Sequence, residues 1–562
     1  MGRRSPGPKK QDRRQILANK ADERLALFAM STWPDIFNER NSLRTIEKFL
    51  REEGVPPNSS LCGLAAFNML ESLSSILEGK AAEYASKHTY HRLLQRLRLV
   101  PAPIYGSHHF KSPNSYMERR EWAEVLAFKH AAPSATGPIH LAERILIDHK
   151  NIPALLRFVE TTRAYSSLQV LKRCAAMDIP IVFEQNKLPD VDRTHQLWGA
   201  MQQLDRRRGA SNENFGVILN NNLSQEIASS EDQFTLATIT LSPAYSDQEY
   251  VDWYWFNNVG VRLASFSYYP FRSRFPGLMR GYNWYPPSLP YLALASTATI
   301  LQATHNTELD FEIRRYGLVS MSRRSFERKF ADLLDSPTAR LYERFFPSEH
   351  PLTMEGMENA LDEPLQVYPG VELPVLVSAG SDTILLDIWA LGRKIIFDMN
   401  SPSTGEVQNV RAENFEIEVQ RLIDASEWAP PADLRSLVRR PLRRNDGSSI
   451  TDIDALAAKD GVGILIACKN YRTTALGRGT AAQARTVRLQ LAQDYTDWER
   501  KVSALRAASP GPNFDLSHLA QAIPLVLTPD PTFVDPALLQ PRANGLPRVM
   551  ALHELEAFLF GD

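Results

Sequence analysis

Two aspartates, a lysine and a tight turn hold the most chemistry-bearing pattern in this sequence. The segment Thr451-Asp452-Ile453-Asp454-Ala455-Leu456-Ala457 runs on to Asp460-Gly461, and Val462 to Lys469 follows. An Asp-Gly pair between two strand-like runs predicts a two-residue hairpin loop. Lys459 then faces Val462, Asp454 faces Ala467 and Asp452 faces Lys469. Alternation along each strand sets these last four on one face, with opposed Cβ atoms roughly 5 Å apart. Carboxylates gathered in this way suit Mg²⁺, and a nearby ammonium orients water and offsets negative charge. A one-residue slip would undo the arrangement.

The residues around the turn resemble the PD-(D/E)xK nuclease superfamily, of restriction-endonuclease-like fold and including Mrr-like members. The resemblance covers roughly 405–562. Asp454 matches the catalytic Asp. Ala467-Cys468-Lys469-Asn470-Tyr471 matches the acid-x-Lys element, and Phe415-Glu416 the helix that often carries an auxiliary Glu. The resemblance implies Mg²⁺- or Mn²⁺-dependent hydrolysis of DNA phosphodiesters. Asp454, the acid at position 467 and the backbone carbonyl of Cys468 would face the metal, with Lys469 on the attacking water. Alanine, however, ligates nothing. Three explanations for Ala467 stand open: deliberate replacement of a native acid, natural loss in a catalytically dead DNA-binding or scaffold protein, or migration of the acid to Asp452 or Glu416. A nuclease domain behind an unfamiliar region is similar in architecture to antiviral-defence and restriction effectors. A further subunit or activator is compatible with that architecture.

The elements that would position these residues are legible in outline. Residues 413–425 read as a helix with an apolar stripe of Phe415, Val419, Leu422 and Ile423. A long helix is expected near 480–507, a strand at 523–528 and a closing helix near 552–559. Cys468 should share the opposite strand face with Val462, Ile464 and Ile466, as core. Arg439, Arg440, Arg443 and Arg444 form a basic stretch suited to nucleic-acid phosphates, or to a solvated loop.

Upstream, 1–22 reads as a basic flexible tail and 23–400 as a mainly helical region of one or two subdomains. Leu93, Leu94, Leu97 and Leu99 run beside Arg92, Arg96 and Arg98 at helical spacing. Residues 373–377 read as a strand, and Thr383–Leu391 with Lys394–Met399 as a hairpin about Gly392. Aromatics and arginines interleave over 250–291, as an aromatic core or a base-stacking surface. His88, His91, His108 and His109 are weak zinc candidates. The expected class is multidomain α+β: a helical N-terminal region, then an α/β domain whose central mixed sheet is flanked by helices.

The 562 residues carry 64 basic and 65 acidic side chains, so a globally basic nucleic-acid binder is excluded. Three scattered cysteines argue against a disulfide framework. No apolar run of membrane-spanning length, secretory signal or P-loop is evident, so a cytoplasmic protein without membrane or motor function is expected.

Overall fold

The computed structural model describes residues 39–100, 113–133, 152–214, 233–239, 261–267, 317–335, 351–368, 371–379, 382–388, 405–471, 481–529, 531–542 and 545–561, with scattered positions between 287 and 394. The tail over 1–22, most of the 250–291 stretch, His108 and His109 lie outside them. The fold is mixed α+β, in two compact units. One comprises 1–191, 218–265 and 285–401; the other comprises 192–217, 266–284 and 402–562.

The first unit begins with α1 (Arg40–Glu52), β1 (Ser59–Leu61), α2 (Gly63–Ala85), α3 (Tyr90–Leu99), α4 (Pro113–His130), α5 (Ile152–Ala176), β2 (Ile181–Phe183) and β3 (Asp190–Val191). Leu70, Leu73 and Leu77 repeat at helical spacing, which turns one face of α2 onto α4 and α5. Glu160 of α5 accepts the Asn41 and Ser42 amides at 2.8 and 3.2 Å. It thereby satisfies open donors at the positive end of α1.

The chain continues through α6 (Gln196–Asn214), which belongs to the second unit, and the paired strands β4 (Gln233–Ile239) and β5 (Val261–Ser267). Then come β6 (Leu318–Ser322), α7 (Arg323–Leu334), α8 (Met354–Asp362), β7 (Leu365–Tyr368), β8 (Val371–Leu373), β9 (Leu376–Ser378) and β10 (Thr383–Asp387). Strands thus enter the region read as mainly helical, among them β9 and β10 within the 373–391 stretch that the sequence marks as strand. The 373–377 run is split between β8 and β9, with Pro374, which has no amide hydrogen to donate, in the gap.

Of the hairpin expected about Gly392, the described residues show a strand only over 383–387; Gly392 and 395–399 lie outside them. β10 ends at Asp387 and pairs antiparallel with β6 and β9, while Ile388, Ala390, Leu391 and Lys394 are helical. Asp387 Oδ1 accepts the Ala390 amide at 3.0 Å, a cap that turns the chain into helix. On α3 the three described leucines are buried as their spacing requires, but Arg98 is buried with them, at 2% exposure. It is paired with Glu124 of α4 and with Asp387.

The second unit holds α9 (Gly405–Asp424), α10 (Ala432–Arg435), β11 (Leu442–Arg443), β12 (Ser449–Thr451), β13 (Ala455–Lys459), β14 (Val462–Cys468), α11 (Ala481–Ala507), β15 (Gln521–Thr528), α12 (Pro536–Leu539), β16 (Val549–Ala551) and α13 (Leu552–Phe560). Four strands form a sheet in the order β13-β14-β15-β16. β13 and β14 are antiparallel, and the other neighbours are parallel. α11 is the crossover that the parallel β14–β15 pair requires.

α9 packs its Phe415, Val419 and Ile423 on the Ala455, Ala457, Ile464, Ile466 and Cys468 face. α11 packs Leu491, Tyr495 and Trp498 on the face carrying Leu456, Leu465 and Ala467. Arg207 of α6 forms a forked pair with Glu554 of α13, at 2.5 and 2.9 Å. A segment far upstream thus completes this unit. Among the described residues, no helix is long and apolar enough to cross a membrane.

Candidate functional site

The Asp460-Gly461 turn forms with both residues at positive φ, 50° and 74°. This is the backbone that a type I′ turn demands and that Gly accepts without strain. Lys459 pairs with Val462, and the register runs unshifted to Ala455 opposite Ile466. There the ladder stops. The chain bends at Asp454, so Asp452 is an exposed residue between β12 and β13 and not a strand partner of Lys469. Asp454 stays tied across the hairpin, its Oδ2 accepting the Cys468 amide at 2.7 Å.

Glu416 projects from α9 toward this end of the hairpin. It is half-buried, and burial followed by the nearby Asp454 charge raises its carboxyl to about 7. Asp452 and Glu413 push the same way, and Arg439 opposes them. Arg439 lies 3.3 Å from Glu416 and 2.7 Å from Glu413. Burial also raises Asp454, against the Cys468 amide and the positive charges of Lys469 and Lys501. Lys469 donates its own amide to the Leu527 carbonyl at 2.8 Å, which extends the β14–β15 pairing beyond Cys468. Tyr471 hydroxyl donates to the Asp494 carboxylate, anchoring the Cys-Lys-Asn-Tyr segment to α11.

Ala467 lies in the α11-side core at 5% exposure, with Val526 beside it on β15. Cys468 lies on the opposite face, and burial pushes its thiol far up, so it is a core residue and no nucleophile. Of the four arginines, only Arg439 meets the acids. Arg440, Arg443 and Arg444 are exposed. Arg443 gives its amide to Asn513 Oδ1 at 3.0 Å, and Arg444 gives its own to the Ser448 carbonyl at 2.8 Å.

Gln420 is a positioning residue that the sequence analysis missed. Its amide group accepts the Leu456 N–H at 2.8 Å and donates to the Leu456 carbonyl at 3.2 Å. It therefore satisfies the free edge of β13 and clamps α9, one turn beyond Glu416, against the hairpin. The clue was a polar side chain among Phe415, Val419 and Ile423 on the apolar stripe.

The donor set suits a hard divalent cation. Asp454 and Glu416 carry carboxylate oxygens of the kind such a cation takes, with water or phosphate completing the shell. Among the described residues no group of three or more His, Cys, Asp or Glu side chains forms a ready-made metal cage. His91 is fully buried and pushed down to about 4, chiefly by burial. With His88 it makes no zinc cluster.

The raised Glu416 carboxyl has a signed consequence. Its contribution to stability is full below its ordinary value of 4.5 and is lost as pH rises through about 7. In chelator, Glu416→Gln should therefore gain melting temperature relative to the parent chain as pH climbs across that window. A melting-temperature difference that stays constant across that pH window would mean that Glu416 carries no such strain. Comparison with protein-family models, curated proteins and solved structures finds no match for this chain.

Proposed function

We propose that the second unit is a divalent-metal-dependent nuclease that hydrolyses DNA phosphodiester bonds, with Asp454 and Glu416 as its metal-holding carboxylates. The observation that carries this proposal is the approach of two partly buried acids, Glu416 on α9 and Asp454 just before β13, close enough that the Asp454 charge raises Glu416. Burial and repulsion of this kind at Glu416 are costly in a resting fold and are relieved by a cation. The order of helix, hairpin, crossover helix, two strands and closing helix also agrees with the restriction-endonuclease-like resemblance. A role as a restriction or antiviral-defence effector is part of the same proposal.

A bound Mg²⁺ or Mn²⁺ would supply polarisation of the scissile phosphate and a more acidic water. Asp454 and Glu416 would hold that ion, joined by the Cys468 carbonyl that the resemblance implies. Lys469 orients the attacking water and offsets charge developing on the phosphate. Water adds to phosphorus and the bond to one ester oxygen breaks. The products are a phosphate monoester and a hydroxyl end.

The rival proposal is a non-catalytic nucleic-acid scaffold, favoured by the apolar packing of Ala467 at the matched acid position. Cleavage of plasmid and single-stranded DNA in Mg²⁺ or Mn²⁺, in buffer and in cell extract, separates the two. The chain as it stands is expected to cut. Ala467→Glu is expected to add little and to lower the melting temperature, because a charged chain enters a packed core. No cutting by the parent together with metal-dependent cutting by Ala467→Glu would return the second carboxylate to position 467. No cutting by either would favour the scaffold.

A further inference from the structure

Arg439 has backbone and side-chain features that the metal site alone does not explain. It is a non-glycine residue at φ 60°, a left-handed conformation that side chains rarely adopt. Its amide donates to the Ile453 carbonyl at 2.7 Å, beside a parallel bridge between Val438 and Ile453. The strained backbone is thus fixed to the residue preceding Asp454. From there the guanidinium spans two carboxylates of α9, Glu413 and Glu416. Strain retained by surrounding contacts marks positions where geometry serves a task.

We infer that Arg439 is the resting counter-ion of the carboxylate site, displaced from Glu416 by a divalent cation and then free to hold a phosphate of the nucleic acid. The inference rests on the proposed metal site and adds its coupling to substrate. In the resting fold one guanidinium occupies the charge that Glu416 would give a metal. Metal binding removes that partner. Nη2 stays on Glu413, while the Nε edge released from Glu416 is open to phosphate oxygens. Metal and nucleic acid therefore bind with positive coupling, and the coupling is reciprocal. An ordinary half-exposed ion pair would contribute little and couple nothing.

The test uses the full chain, Ca²⁺ as the probe metal and an unmodified DNA duplex, with gels confirming that the duplex stays intact. Ca²⁺ affinity is measured by calorimetry, and duplex affinity is measured with and without Ca²⁺. The parent chain should bind duplex roughly tenfold more tightly when Ca²⁺ is present, within the usual range of coupling between sites. Arg439→Asn keeps a residue that tolerates left-handed backbone. It should bind Ca²⁺ several-fold more tightly, yet keep only the smaller gain in duplex affinity that the metal's own contact with phosphate supplies. Arg439→Lys restores charge without the fork and should recover part of the coupling. Unchanged Ca²⁺ affinity in Arg439→Asn, or undiminished coupling, overturns the switch. Asp454→Asn is the control for the site itself. If that variant binds Ca²⁺ as the parent does, the metal site fails, whatever Arg439 does.

Discussion

Asp454→Asn is expected to lower metal-dependent DNA cleavage about a thousandfold, equivalent to about 4 kcal/mol of activation barrier, while the protein stays folded. The amide oxygen of Asn can still accept the Cys468 amide that Asp454 Oδ2 holds at 2.7 Å, so the end of the hairpin keeps its tie. What is lost is the charge. An amide is a poor partner for a hard cation, and Lewis-acid stabilisation contributes several kcal/mol in such reactions. The variant should also melt no lower than the parent in chelator, because a carboxylate repelled by burial and by Asp452 has been neutralised. Glu416→Gln should cost a similar factor, and the double variant little more than either single one, since groups sharing one metal act as a unit. Rates are read from plasmid nicking under single-turnover conditions. Multiplicative losses in the double variant would mean that the two acids serve separate steps. Full activity in Asp454→Asn would remove the residue from the chemistry.

The hairpin that carries this residue was legible in the sequence because its determinants are local. Asp460-Gly461 sets the turn, the turn sets the register, and the register brings Asp454 to the Cys468 amide. The bend at Asp454 was not legible. Ile453 packs with the α11-side core while Ala455 faces α9, so strand alternation breaks between them. That break takes Asp452 out of the expected ladder.

Long-range partners were equally hidden. Nothing near Arg439 in sequence announces Glu413 and Glu416, and nothing near Arg207 announces Glu554. Gln420 reads as a flaw in an apolar stripe until the free edge of β13 is placed beside it. In the strand-rich part before residue 400, short apolar runs carry no periodicity that separates strand from helix. A single cap bond from Asp387 decided the matter there.

The largest stability effect is expected at Arg98, in the first unit. Its Nε donates to Glu124 Oε1 at 2.9 Å, and its Nη1 and Nη2 meet both Asp387 oxygens at 3.1 and 2.5 Å. All three side chains are essentially inaccessible to water. Arg120 gives Glu124 a second cation at 3.0 Å, and the two guanidiniums hold that carboxyl below its ordinary range. Asp387 differs, because burial raises it, and Arg98 is the largest influence opposing that rise.

Arg98→Met should therefore cost about 3–5 kcal/mol, the usual penalty for stranding a buried charge, with Asp387 carrying most of it. Adding Asp387→Asn should recover much of the loss, since a neutral side chain can still cap the Ala390 amide that Asp387 now holds. A chain with two units has no single unfolding free energy, so the measurement is hydrogen exchange of peptides from α3 and β10. In Arg98→Met, exchange there should quicken by two to three orders of magnitude at neutral pH, which corresponds to about 3–4 kcal/mol. It should quicken less in acid, where Asp387 takes up a proton instead of needing a cation. Equal acceleration at both pH values would show that Arg98 acts through packing, with its charge irrelevant. No acceleration would mean that α3 and β10 are held together by the leucine face of α3 alone.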